Sequence, residues 1–291
     1  MFRTTAAIII AASLLLSACG VQEDTSAEKT TPENEPASTV QSGLNDSSET
    51  AETDQPTAQD NPELTKDKEP TEDKQKQKIA KTYHMNENYY IKPNDEHGEK
   101  KVVLLTFDDG PKEKEMINGL IDTLDKHNAK AIFFVNGYRV ESHPELLKII
   151  HERGQIIGNH AWDHEDLKKM STTQAVKQVT DVQDIVKDTI GVEPEFFRPP
   201  FGSGNDALKA AVQKNGMLYM TWSNGSLDWD KSTKNKPEKV IQNVLDQLNP
   251  GSNILMHELP WTVDALDELL TKLDKKGYSF VDPRSIELEA R

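Results

Sequence analysis

From about residue 100 onward the chain carries short apolar runs, rich in β-branched and aromatic residues, separated by longer stretches of mixed polarity. Residues 102–107, 131–135 and 217–222 read as buried strands, with 253–257 and 278–281 as shorter ones and 155–158 and 195–197 as strand-like segments. Between them, residues 114–127, 144–153, 172–190, 206–215, 237–248 and 263–276 repeat their apolar positions at the spacing of amphipathic helices. Strands alternating with helices imply an α/β fold, a parallel sheet joined by crossover helices. No internal repeat is visible in the sequence.

The pattern before this region is different. Residues 6–16 form one apolar run, preceded by Arg3, that is too short to span a bilayer. Leu16-Ser17-Ala18-Cys19 follows and resembles a bacterial lipobox, so residues 1–18 are expected to be a lipoprotein signal peptide and Cys19 the lipidated residue. Cys19 is the only cysteine, which rules out an internal disulfide. A lipid on Cys19 implies an extracytoplasmic protein anchored to the membrane rather than spanning it.

Residues 19–82 are expected to be a disordered tether. No Phe, Trp or Tyr occurs between residues 21 and 81, and residues 21–80 hold 15 acidic against 6 basic side chains, so nine of the formal net charge of −15 lie there. Such a segment cannot bury enough apolar surface to fold. As a coil it would span roughly 40 Å, enough to hold a domain off a surface. The acidic balance also excludes a nucleic-acid partner, because phosphates would be repelled. Residues 83–291 then form the globular domain, expected to be a monomer; about 200 residues is a normal size for an α/β barrel.

In parallel α/β folds chemistry gathers at the C-terminal ends of strands. Five segments deliver polar groups there: Asp108 and Asp109, then Asn159 with His160 and His164, then Arg198, then Asp228, then His257. Two adjacent carboxylates closing an apolar run are costly unless something compensates them. His160 and His164, four apart, would fall on one face of a helical turn and could share a metal ion.

The motifs resemble those of the polysaccharide deacetylase family, also called NodB-homology or carbohydrate esterase family 4. They occur in the family's order, as Thr106-Phe107-Asp108-Asp109-Gly110-Pro111, His160-Ala161-Trp162-Asp163-His164, Arg198-Pro199-Pro200-Phe201, Asp228-Trp229 and Leu255-Met256-His257. The resemblance covers about residues 100 to 285 and implies a distorted (β/α) barrel. It also implies hydrolysis of acetyl groups on N-acetylated sugars of a polysaccharide, with cell-wall peptidoglycan N-acetylglucosamine as the leading substrate for a tethered enzyme.

On that resemblance Asp109, His160 and His164 hold one divalent metal. Zinc is the default for such a donor set, and cobalt, nickel, manganese or iron also suit two histidines and a carboxylate. Asp108 is the implied base, ion-paired with Arg198, and the Phe201 N–H is the implied oxyanion donor beside the metal. His257 is the implied acid for the departing amine, oriented by Asp228. Trp229 and Leu255 are expected to wall the pocket for the acetyl methyl. Two positions depart from the family pattern: Ala161 stands where Ser or Thr is usual, and Gly225 where many members carry Asp. Loss of a hydroxyl at 161 is expected to loosen the metal's surroundings. An O-acetyl polysaccharide esterase and a non-catalytic wall-binding protein are the alternatives, whereas a zinc peptidase is disfavoured because no Glu lies between the histidines.

Overall fold

The computed structural model describes residues 79–290. The signal peptide, Cys19 and nearly all of the tether therefore lie outside the described residues. Thr82 is already joined to the domain, donating its N–H to Ser285 O at 2.9 Å.

The domain opens with an antiparallel hairpin, β1 (Tyr83–Met85) and β2 (Ile91–Pro93), which buries Met85 and Ile91. There follow β3 (Val102–Gly110), α1 (Lys114–Lys126), β4 (Ala131–Val135), α2 (Gly137–Ser142), α3 (Pro144–Glu152), β5 (Ile156–Asn159) and α4 (Thr172–Ile190). The second half runs through β6 (Phe196–Phe197), α5 (Asp206–Lys214), β7 (Leu218–Tyr219), β8 (Asn224–Gly225), α6 (Pro237–Asp246), β9 (Ser252–His257), α7 (Pro260–Lys275) and β10 (Ser279–Phe280). The parallel sheet has the order β7-β6-β5-β4-β3-β9-β8, and β10 also pairs with β3. This is the expected distorted (β/α) barrel.

Strand periodicity divides the core into two and aims the chemistry. On β3, Val103, Leu105 and Phe107 pack with α1, α6 and α7 side chains such as Leu120, Val240 and Leu269. The alternate residues Val102 and Leu104 face the barrel interior with Ile132, Phe134, Phe196 and Met220. Continuing that inward face gives Thr106 and Asp108, both buried, so the interior turns from apolar to polar near the strand's C-terminal end. Each large apolar side chain so buried contributes about 1.5–3 kcal/mol, enough to fix the register that carries the polar residues.

The one strand that departs from expectation is the 217–222 run. Only Leu218 and Tyr219 pair as a strand, with β6, and the next paired residues, Asn224–Gly225, join β9 at the other end of the sheet order. The break has a cause: Thr221 O accepts hydrogen bonds from Arg198 Nε at 3.2 Å, Arg198 Nη2 at 2.9 Å and Asn253 Nδ2 at 3.0 Å. A buried guanidinium takes the carbonyl that a neighbouring strand would otherwise use. The hairpin β1–β2 and the six-residue α2 were also not expected, and α7 begins three residues earlier than its apolar spacing suggests. The hairpin docks through Gly251, whose φ of 88° and close approach to Ile91 O leave no room for a Cβ.

Candidate active site

The end of β3 is held from two sides. Asp108 lies in register with His257 on the neighbouring β9. Arg198, fully buried just after β6, donates from Nη1 to Asp108 Oδ1 at 2.7 Å and to Thr106 Oγ1 at 2.8 Å. Its Nη2 donates to Asn253 Oδ1 at 3.1 Å, and its guanidinium carbon stands 4.4 Å from the Phe134 ring centroid. Burial pulls the guanidinium below its ordinary value while the Asp108 charge opposes that pull. The pair is a desolvated, oriented ion pair that leaves Asp108 Oδ2 unclaimed by the arginine.

Asp109, His160 and His164 converge, with one ligand atom from each within 4.8 Å of the others. Asp109 Oδ1 lies 3.0 Å from His164 Nε2 and 3.4 Å from His160 Nε2, yet it is buried with no aligned hydrogen-bond donor. His160 Nδ1 lies 2.7 Å from Arg198 O, a carbonyl that can only accept, so Nδ1 carries a proton and Nε2 is the nitrogen that faces Asp109. A buried carboxylate oxygen without a donor, facing imidazole nitrogens, fits a divalent cation. Burial alone raises the Asp109 carboxyl, but the imidazoles of His160 and His164 outweigh it and hold it below the usual carboxylate range.

The backbone between the two histidines is not the helical turn that their spacing suggested. Residues 160–164 form an irregular loop in which Ala161 (φ 62°) and His164 (φ 55°) are left-handed. Asp109, Phe201 and Leu227 share that conformation, at 65°, 59° and 55°. Each non-glycine residue held there costs of order 1 kcal/mol, and such strain collects where surrounding structure dictates side-chain direction.

His257, at the end of β9, is the third group. Its Nδ1 lies 2.7 Å from Asp228 Oδ1, its backbone N–H donates to Asp228 Oδ2 at 2.7 Å, and Thr262 Oγ1 donates to the same oxygen at 2.6 Å. Burial works against a charged ring, but Asp228, with Asp108 and Asp109 further off, outweighs it and raises His257 above its ordinary value. A histidine so held can keep a proton near neutral pH.

Asp108, Asp109, His160, His164 and His257 line one cavity of about 390 Å³ with Phe201, Trp222, Trp229 and Leu255. Phe201 and Trp229 are 66% and 46% exposed and form its rim, so neither is a core residue. Every expected site residue from 108 to 257 is thus found at this cavity or bonded to a group in it. Trp222, Asn253 and Thr262 were not expected. Trp222 and Asn253 belonged to expected strands, and Asn253 and Thr262 act through contacts between distant segments that leave no spacing in the sequence. At Gly225 a Cβ would meet Trp229 and Trp222 at 3.6 and 3.7 Å, ordinary contact, so the missing Asp side chain leaves space rather than strain.

Residues 95–220 match the polysaccharide deacetylase family. The peptidoglycan-N-acetylmuramic acid deacetylase PdaC of Bacillus subtilis is 36% identical over 189 residues, 65% of this chain and 39% of PdaC. This chain therefore spans under half the length of that relative. A solved structure of PdaC superposes with a TM-score of 0.57, covering 62% of this chain and 87% of the chain solved. A peptidoglycan-N-acetylglucosamine deacetylase of Bacillus cereus is 35% identical over 190 residues, 62% of this chain and 69% of the relative. BA3943 of Bacillus anthracis, described as a CE4 family pseudoenzyme, is 29% identical with a TM-score of 0.60 over 63% of this chain and 64% of its own.

Proposed function

The chain belongs to the polysaccharide deacetylase family, and on that footing we propose that it is a metal-dependent hydrolase that removes acetyl groups from the N-acetylated sugars of peptidoglycan. The observation that carries this reading is the meeting, in one cavity, of the Arg198–Asp108 pair, the Asp109, His160 and His164 cluster, and the Asp228–His257 pair.

Each group has one task in amide hydrolysis. Asp108 Oδ2, left free by the arginine, accepts the proton of the attacking water. The Phe201 N–H donates to the oxygen that becomes negative as the carbonyl turns tetrahedral. His257, with Nδ1 committed to Asp228, gives a proton from Nε2 to the departing nitrogen, so the C–N bond breaks to acetate and a free amine. Leu255, Trp222 and Trp229 exclude water around the acetyl methyl. Asp109, His160 and His164 hold one divalent ion, zinc by default with cobalt, nickel or manganese also suited, which when bound polarises the carbonyl and acidifies water.

Relatives named for N-acetylglucosamine and for N-acetylmuramic acid both resemble this chain, so the sugar is the finer question. N-acetylglucosamine is our leading assignment, at the outer face of a membrane that holds the protein through a lipid on Cys19. The deciding experiment measures acetate released from peptidoglycan and from chitin oligomers with added Zn²⁺ or Co²⁺, and compares Asp108→Asn. Release by the wild type that the variant loses supports the reading, and no release under any metal favours the alternative of a non-catalytic wall-binding protein. Loss of membrane fractionation in Cys19→Ala tests the anchor.

A further inference from the structure

The loop from His160 to His164 is gripped from two sides, and the grips differ in kind. Its carbonyls are taken by the segment joining β4 to α2. Asn136 Nδ2 donates to His160 O at 2.9 Å and to Ala161 O at 3.3 Å, Gly137 N–H donates to Ala161 O at 3.2 Å, and Tyr138 N–H to Trp162 O at 3.3 Å. A Cβ on Gly137 would collide with the Trp162 ring, so the two segments are in full contact.

Its amides are taken from the opposite side by one residue of α4. Gln178 Oε1 accepts from Trp162 N–H at 3.1 Å and Asp163 N–H at 2.9 Å, while Gln178 Nε2 donates to Asp163 Oδ2 at 2.8 Å. Ala161 contributes only a methyl, buried among Leu167, Ala175 and Val179, and its N–H goes back to Asn159 Oδ1. His160 is anchored independently, by Val135 O to its N–H and by Arg198 O to its ring. Among the described residues His164 has no hydrogen bond of that kind; its ring meets only Asp109 at 3.0 Å and the rings of His160 and Phe201, the latter edge-on at 4.8 Å. Its position follows from the path of residues 161–163, two of whose amides end on Gln178.

We propose that Gln178 is a positioning residue for the metal site: its side-chain amide sets the path of residues 161–163 and so aims His164 at Asp109 and His160. This rests on the metal-site reading above. The carboxamide is matched to the task in both halves, since its oxygen serves two N–H donors and its NH₂ serves a carboxylate. Alanine at 178 leaves both amides and the Asp163 carboxylate to water. Glutamate keeps the acceptor for the two amides but sets a second carboxylate against Asp163.

The test is Co²⁺ binding to the purified protein, followed by titration and by the visible spectrum of the bound ion, with acetate release measured alongside. Gln178→Ala is expected to weaken Co²⁺ binding by about 10- to 100-fold, to alter the spectrum, and to lower kcat with KM little changed. Gln178→Glu alone is expected to bind Co²⁺ at least as poorly as a tenth of wild type, roughly, and Asp163→Asn alone to stay near wild type because its oxygen still accepts from Gln178. The swap Gln178→Glu with Asp163→Asn restores the pairing, an asparagine NH₂ donating to a glutamate oxygen, and is expected to recover affinity to within about threefold. Recovery separates positioning from mere damage to the fold. Wild-type affinity and spectrum in Gln178→Ala, or no recovery in the swap, would overturn the proposal. A wild type that binds Co²⁺ but releases no acetate refutes the deacetylase reading and leaves this one standing, whereas a wild type that binds no Co²⁺ refutes both.

Discussion

Asp228 holds His257 at two points, by the ring at Nδ1 and by the backbone N–H, both at 2.7 Å. The arrangement fixes where the ring stands as well as its charge, because the carboxylate is itself fixed by Thr262 and buried completely. One orientation and one tautomer follow, with Nε2 facing the cavity.

This pair predicts a pH effect with a definite sign. An acid catalyst must be protonated, so activity falls as pH rises through the pKa of His257, which Asp228 holds above its ordinary value. Asp228→Asn removes the charge, lowers that pKa and moves the alkaline limb of the kcat profile toward lower pH. His257→Ala should lower kcat by about 10²–10⁴-fold throughout. An unshifted alkaline limb in Asp228→Asn would count against His257 as the acid.

Arg198 predicts a stability effect. Its guanidinium serves Asp108, Thr106, Asn253 and Thr221 O from a position with no solvent exposure. Lysine has one nitrogen to offer and cannot span these acceptors. Arg198→Lys leaves buried acceptors unpaired and should cost about 3–5 kcal/mol, measured as a lowered urea midpoint. A midpoint equal to that of the wild type would mean that the network does not hold the interrupted strand region together.

The fate of that strand shows which parts of the fold were legible beforehand. Where apolar alternation decides, as on β3 and β4, sequence and structure agree, because burying one face leaves one register. At residues 217–222 the run is equally apolar, yet Thr221 O accepts from the side chains of Arg198 and Asn253 where the chain leaves β6 and before it joins β9. The histidine pair makes the same point. A spacing of four fits a helical turn, but it also fits the loop seen here, whose amides go to Gln178 and Asn159 and whose carbonyls go to Asn136, Gly137 and Tyr138. That Asp109, His160 and His164 would meet was expected from the motifs that resemble the family's, and the three do converge. The braces could not be read from the sequence, since Gln178, Asn136 and Thr262 are ordinary polar residues until the fold brings them to a backbone.

Metal loading predicts a thermal shift. Asp109, His160 and His164 come from separate positions on β3 and the loop after β5, so an ion bound to all three stabilises only the folded chain. With free Zn²⁺ at about 100 times its Kd, the gain is about 2.7 kcal/mol and Tm rises accordingly. Chelation should reverse the shift, and His164→Ala should abolish most of it. A Tm that ignores both Zn²⁺ and chelator would remove the basis for the cluster as a metal site.

Glu258 gives a prediction that is independent of catalysis. It follows His257 directly, is almost wholly buried, and accepts the Lys112 N–H on Oε2 at 2.8 Å, while its buried Oε1 has no hydrogen-bond partner among the described residues. Burial pushes this carboxyl up to about 7, against the opposing pull of the Lys112 N–H and of the Lys112 and Arg139 charges. The sign follows from proton binding. Between the ordinary value of 4.5 and about 7 the folded state holds a proton that the unfolded state has released, so stability falls as pH rises through that window and levels off above it. Glu258→Gln keeps an acceptor for the Lys112 N–H and abolishes the titration. The variant should therefore lack this fall, gaining up to about 3 kcal/mol relative to wild type above neutral pH and little near pH 4.5. Urea unfolding of the metal-free proteins at a series of pH values measures it. Parallel stability curves for the two proteins across the window would show that Glu258 is ionised in the fold, held by its contact with Lys112 just after β3.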